Sequence, residues 1–301
     1  MRQFFAIIGH PVAHSLSPRF QQAAFDAEGI EAAYLPFDIP PDRLSQSLAA
    51  LRILGVSGFN VTLPHKEALT GEVDRISERA REIGAVNTVV SREGEWFGEN
   101  TDGPGFLLAL DRFLEESRLP FPSHVLIFGA GGSARAVLWA LSRRPVSGIC
   151  LVNRTGGRGE AILDLPFLAR IPNRKASALD DPSWKSWLAQ APSPLLVNTL
   201  SLRAFEKASL LFPPLDGVPL SGTVMFDLSY AAGESGLKTS GKTPFLRMGD
   251  RFDTPCQNGL GMLLAQGALA FELWTGKKAP TERMEEILRE ATGQKTLWKS
   301  L

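Results

Sequence analysis

An α/β fold of two domains is what this sequence predicts, on three observations. Short β-branched and aromatic runs alternate with amphipathic stretches along most of the chain, the pattern of strand–helix units around a mostly parallel sheet. The 301 residues exceed one minimal core and suit two domains of about 100 to 200 residues each. A new strand–helix system opens after a helical stretch that ends near Pro120. The boundary is therefore expected near Gly103, with residues 1–103 and 256–301 in one domain and 104–255 in the other.

In the first domain Phe4–Gly9, Ala33–Phe37, Gly58–Thr62 and Ala85–Val90 read as strands. Pro18–Glu28, Asp42–Leu54 and Glu67–Ile83 read as helices, the first with Ser17 as its cap and Pro18 in its first turn. The stretch from Gly103 to about Pro120 is helical, with Phe106, Leu107, Leu110, Phe113 and Leu114 on its apolar side. Ser123–Phe128 is a buried-strand run followed at once by glycines and a helix to about Arg143. Gly148–Val152, Leu195–Thr199 and Val224–Leu228 supply further strands. A long apolar helix over about Gln257–Gly276 and a polar one over Thr281–Glu290 close the chain, with a frayed tail after Gly293.

Composition excludes several classes. The 32 basic residues balance the 32 acidic ones, which argues against a nucleic-acid surface built from clustered Lys and Arg. Cys150 and Cys256 stand far apart and read as two reduced thiols, neither a disulfide framework nor a metal pair. His10 and His14 share a proline-interrupted loop, so helical metal-ligand spacing fails, and no metal is assigned. The apolar run at the N-terminus meets Gly9-His10-Pro11 too soon for a signal-peptide core, and no stretch approaches the roughly 20 apolar residues that span a bilayer. A cytoplasmic protein is expected. No signature of oligomeric state is readable, so monomer and homodimer stand equal.

The strand Ser123–Phe128 runs into Gly129-Ala130-Gly131-Gly132-Ser133-Ala134, where Gly129, Gly131 and Ala134 take the G-x-G-x-x-G/A positions. Such a turn lets backbone amides approach a pyrophosphate whose charge is stabilised at the helix N-terminus. About 20 residues on, where an NAD enzyme carries an acid for the ribose hydroxyls, the next strand ends in Asn153-Arg154-Thr155, with Arg158 close behind. An arginine and a hydroxyl suit a 2′-phosphate, which selects NADP as cofactor; the competing reading of Arg154 is a solvated loop arginine.

Four other segments carry polar residues that a core does not need: Gly9–Pro18, Gly58–Lys66, Gly84–Thr88 and Gly98–Gly103. Each follows or ends an expected strand, which brings their side chains to one sheet edge, where α/β proteins bind ligands. The alternatives are ordinary. Ser15 and Ser17 suit helix capping, Asn87 and Asn100 suit turns, an isolated lysine suits the surface, and Tyr230 suits a core lining. Gln266 on an otherwise apolar helix is harder to explain away, because a buried amide needs partners.

These segments resemble the substrate-domain motifs of the shikimate dehydrogenase family in order and spacing, over nearly the whole chain. The resemblance implies an N-terminal substrate-binding domain and a Rossmann-type NADP domain. It also implies a reversible, NADP-dependent reduction of 3-dehydroshikimate to shikimate. By the same resemblance Lys66 and Asp102 perform or support proton transfer, and Ser15, Ser17, Thr62, Asn87, Tyr230 and Gln266 bind this small-molecule substrate. The chemistry is self-consistent: hydride arriving at a ketone leaves an alkoxide that needs a positioned acid, and an ammonium can supply the proton. In reverse the ammonium must first be deprotonated, which a neighbouring carboxylate opposes, and sequence leaves open which of the pair owns the proton. Two loops depart from the family pattern. Where members carry Asn-Ala-Thr-Ser-x-Gly this chain has Asn198-Thr199-Leu200-Ser201-Leu202-Arg203, and Ala231–Gly236 replaces the usual proline-bearing segment after Tyr230. A quinate or amino-shikimate dehydrogenase, or a weakly catalytic ligand sensor on the same fold, are the alternatives these departures leave.

Overall fold

The computed structural model describes residues 3–154, 156–202, 204–205, 222–230, 241–250 and 253–299. The chain divides into two compact units, Met1–Phe106 with Leu263–Gly293, and Leu107–Met262 with Gln294–Leu301. The divisions after Phe106 and after Met262 fall inside helices, and the one after Gly293 follows the end of the last helix.

The first unit holds a six-stranded sheet in the order β2-β1-β3-β5-β6-β4. Its strands are β1 (Gln3–Gly9), β2 (Ala32–Asp38), β3 (Gly58–Val61), β4 (Arg75–Ile76), β5 (Thr88–Arg92) and β6 (Glu95–Glu99). β1 pairs in parallel with β2 and β3, β4 in parallel with β6, and β5 runs antiparallel to both β3 and β6. β1 is apolar on both faces because both are covered, as in parallel sheets generally. Ala6, Ile8, Phe59, Val61 and Val89 face Leu44, Leu48 and Leu51 of α2 (Leu44–Ile53). On the other face Phe5 stacks on Phe25 of α1 (Ser17–Ala27) at 4.7 Å and meets Trp274 at 5.1 Å. Each such aromatic contributes roughly 2–3 kcal/mol through burial.

Two expectations fail here. The helix expected over Glu67–Ile83 is a 3₁₀ turn (Ala68–Gly71), the two-residue β4, and α3 (Glu78–Ile83). Ser77 stops a longer helix because its side chain accepts the Ala80 N–H and so starts a new one. Ser17 is not the cap of α1 but its first residue; Leu16 holds the cap position, and the Ser17 N–H is bonded instead by Ser15 Oγ at 3.2 Å.

The second unit is built on an entirely parallel sheet in the order β12-β11-β10-β7-β8-β9. Its strands are β7 (His124–Phe128), β8 (Gly148–Asn153), β9 (Asn173–Ala178), β10 (Pro194–Asn198), β11 (Val224–Asp227) and β12 (Cys256–Gln257). From β7 the chain winds outward through β8 and β9, then returns to start again on the far side of β7 at β10. That order is the doubly wound, dinucleotide-binding one, and its reversal lies between β7 and β10. Helices α5 (Gly132–Leu141), α6 (Gly156–Leu163), α7 (Ser183–Gln190) and α8 (Pro244–Arg247) belong to this unit. Its core gathers Leu126, Phe128, Val152, Trp184, Leu196, Met225 and Phe245, and Cys150 and Cys256 are buried within it.

Helices α4 (Asp102–Glu116) and α9 (Leu260–Thr275) each contribute to both units, and α10 (Thr281–Thr292) to the first. The apolar helix expected from Gln257 begins three residues later, where Asn258 Oδ1 accepts the Leu260 N–H. Among the described residues no helix is long and apolar enough to cross a membrane.

Candidate active site

In the first unit, strand direction explains the convergence of the polar segments. The ends of the parallel strands β1 and β3 lie side by side, with His10 N bonded to Leu63 O at 2.8 Å and Thr62 N to Ile8 O at 2.9 Å. β5 is antiparallel, so its beginning reaches the same edge where β3 and β6 end. Asn87 precedes its strand rather than following it, and arrives there all the same.

At that edge Lys66 Nζ donates to Asp102 Oδ2 at 2.7 Å, with side chains only 13% and 6% exposed. Asn87 Nδ2 donates to the other oxygen, Asp102 Oδ1, at 2.8 Å, and lies 2.9 Å from Thr101 Oγ1 and 3.5 Å from Gln266 Oε1. Asn87 Oδ1 in turn accepts Thr101 N–H at 2.7 Å. One buried asparagine therefore fixes both the carboxylate and the backbone just before it. Asn100 secures the same turn, donating to Ala85 O and accepting Gly103 N–H. Beneath it lies Glu99, whose burial alone raises its pKa. Hydrogen bonds from Arg79, Ser77 and the Asn100 N–H outweigh that and hold the carboxyl below its ordinary value.

Lys66, Asp102, Asn87 and Gln266 are thus brought together. Ser15 and Thr62 are half-buried and Ser17 buried on the loops of the same edge. Thr101 was not singled out from sequence; it becomes visible only when β5 and β6 are paired, since it completes the bonding of Asn87. Tyr230 belongs to the second unit, half-buried just beyond β11.

In the second unit the glycine turn lies at the reversal of strand order. Gly129 has φ +108°, a left-handed region where a side chain is strained, and an added Cβ would collide with Thr199 Oγ1. Gly131 is the N-cap of α5, has no side-chain bond closing the helix end, and has no atom within 4 Å of where its Cβ would stand. Ala134 is buried against the sheet, while Ala130, Gly132 and Ser133 complete the turn. Gly129 N–H bonds to Val152 O at 2.9 Å, which ties the turn to the end of β8 and so to Asn153 and the exposed Arg154. Arg158 is exposed on α6; Thr155 lies outside the described residues. A helix N-terminus behind an open glycine cradle, with an arginine one strand away, fits a phosphorylated dinucleotide. Among the described residues no group of three or more His, Cys, Asp or Glu side chains is placed to hold a metal.

The shikimate dehydrogenase substrate binding domain model matches residues 7–89, and the shikimate 5'-dehydrogenase C-terminal domain model matches residues 259–289. The chain is 40% identical to the NADP(+) shikimate dehydrogenase of Moorella thermoacetica, over 96% of this chain and 93% of that one. It is likewise 40% identical to that of Geobacter metallireducens, over 91% of each. The Thermus thermophilus shikimate 5-dehydrogenase, solved in complex with NADP(H) and shikimate, superposes with a TM-score of 0.73 at 35% identity, covering 96% of this chain and 99% of that one.

Proposed function

The chain belongs to the shikimate dehydrogenase family, and we propose that it interconverts shikimate and 3-dehydroshikimate with NADP through Lys66 and Asp102. The observation that carries the residue assignment is the buried Lys66–Asp102 pair, held on its second carboxylate oxygen by Asn87. Bound NADP supplies or accepts the hydride. In the reductive direction Lys66, as an ammonium, gives a proton to the oxygen of the ring ketone as its carbon gains hydride. In oxidation the same amine takes the proton back. Asp102 keeps Lys66 in place and accepts from a substrate hydroxyl, and Asn87 and Gln266, which both donate and accept, suit a vicinal diol. Ser15, Ser17 and Thr62 offer hydroxyls to the carboxylate end, and Tyr230 is assigned to substrate on its position after β11. Gly129–Ala134 hold the pyrophosphate, and Asn153, Arg154, Thr155 and Arg158 the 2′-phosphate. We place the chain in the cytoplasm, where reduced thiols such as its two buried cysteines persist.

The test mixes purified protein with shikimate and NADP and follows the absorbance of reduced nicotinamide, with NAD, quinate and Lys66→Ala in parallel. Turnover of shikimate with NADP that falls about 10²- to 10⁴-fold in Lys66→Ala is expected. Activity untouched by the substitution would remove Lys66 from the mechanism, and silence with every pair would favour a ligand sensor. Arg154→Ala should lose at least about tenfold of the preference for NADP over NAD, one charge-assisted phosphate contact being about this strong.

A further inference from the structure

Asp227 ends β11 with no surface exposed, and its hydrogen bonds lead through Asn198 to the segment packed against Gly129. Its Oδ1 accepts from Asn198 Nδ2 at 2.8 Å and from Ser229 N–H at 2.9 Å, and its Oδ2 accepts from the Thr243 hydroxyl. Asn198 uses this anchorage to brace the segment after β10: its Oδ1 accepts Leu200 N–H at 3.1 Å, and Ser229 Oγ donates to Leu200 O at 3.0 Å. Between them Thr199 donates through both N and Oγ1 to Phe128 O, at 2.9 and 2.8 Å. That threonine hydroxyl and Leu200 Cδ2 are the atoms that a Cβ on Gly129 would meet. Residues 198–200 are thus the bed under Gly129, fastened from the neighbouring strand by one carboxylate.

We propose that Asp227 is a positioning residue for NADP, acting through Asn198 to hold the bed that shapes the phosphate turn. The inference rests on the cofactor reading above. Among the described residues no cation contributes to holding this buried carboxylate, a costly choice for a mere structural tie. Burial pushes Asp227 up to about 6, against the downward pull of Thr243, Ser229 and Asn198, all neutral. The nearest basic residues in sequence to Thr243 are Lys242, paired with Asp250 at 2.6 Å, and Arg247 on α8; neither contributes to that shift. What the charge supplies is strength, since hydrogen bonds to an ionised acceptor are about twice as strong as neutral ones.

The experiment titrates NADP calorimetrically into the full-length protein without substrate, for wild type, Asp227→Asn, Asn198→Ala and the double variant, with melting temperatures at pH 8. The expected result is a Kd raised about tenfold in each single variant, and a double variant no weaker than the weaker single. With saturating NADP, kcat should stay within about threefold of wild type while KM for NADP rises. Asp227→Asn should melt no lower than wild type. A Kd unchanged in Asp227→Asn, or losses that add in the double variant, would overturn the proposal. Should Asp227→Asn prove unstable, Asn198→Ala decides alone: an unchanged Kd overturns it. Wild-type protein that binds no NADP overturns the cofactor reading itself, a result distinct from equal binding by wild type and variants.

Discussion

At the scale of single residues, the site turns on the side chain that makes the most bonds. Asn87 bonds to Asp102, Thr101 and Gln266 while buried, so Asn87→Ala strands several polar groups at once. Leaving such groups unsatisfied costs about 1–3 kcal/mol. Denaturant melts should show that loss, and KM for shikimate should rise with it; unaltered stability would mean that Asn87 is dispensable to the turn. The sequence brings Lys66, Asp102 and Asn87 forward as polar types in segments at strand ends and Gln266 as an amide on an otherwise apolar helix, and the structure places the four together, while their roles come from the family resemblance. Ser17 before a proline looks like a cap, yet it is the first helical residue, its side chain caps nothing, and its own N–H is accepted by Ser15 Oγ. Asp227 was not singled out, because an aspartate ending a strand looks like an ordinary turn residue until Asn198 and Thr243 are seen to close on it.

Among elements, the approach of α4 to α9 fixes the site's geometry. A Cβ on Gly105 would stand 2.8 Å from Gln266 N and 2.9 Å from Gln266 Cα, so glycine lets the two backbones meet where Gln266 faces Asn87. Gly105→Ala should destabilise by about 1–3 kcal/mol through overpacking. Because the shift displaces Gln266, KM for shikimate should rise too; a stability loss with KM unchanged would separate the packing from the site. β1 and α9 are readable from continuous apolar runs and α1 from its apolar face, since burial is the main cause of each. Others are not. β9 carries Asn173, Arg174 and Lys175 at a sheet edge, where polar residues belong, and α6 opens on glycines that disguise a helix. β4 has two residues and exists only because β6 offers it a partner.

For the whole molecule, Asp227 makes stability depend on pH. Its folded-state value of about 6 lies above the ordinary aspartate value of about 3.9, so the folded protein holds this proton more tightly than the unfolded chain. Its contribution is fully present below about pH 4 and lost as pH rises through about 6, a change of roughly 3 kcal/mol. Relative to wild type, Asp227→Asn should gain stability across that window and level off above it. Matched urea melts at pH 4.5 and pH 7.5 measure this, and parallel curves would show the carboxylate to be compensated in the fold. The first unit carries another consequence, one of timing. Its β1 is made early, yet the aromatic cover over that strand, Phe271 against Phe25 and Trp274 against Phe5, comes from α9. At about 5–20 residues per second the ribosome needs roughly 8–30 s to travel from Phe106 to Leu263. During that interval, which is the time taken to make most of the second unit, the nascent chain carries an unfinished half with open aromatic surface, a window in which a chaperone has something to hold.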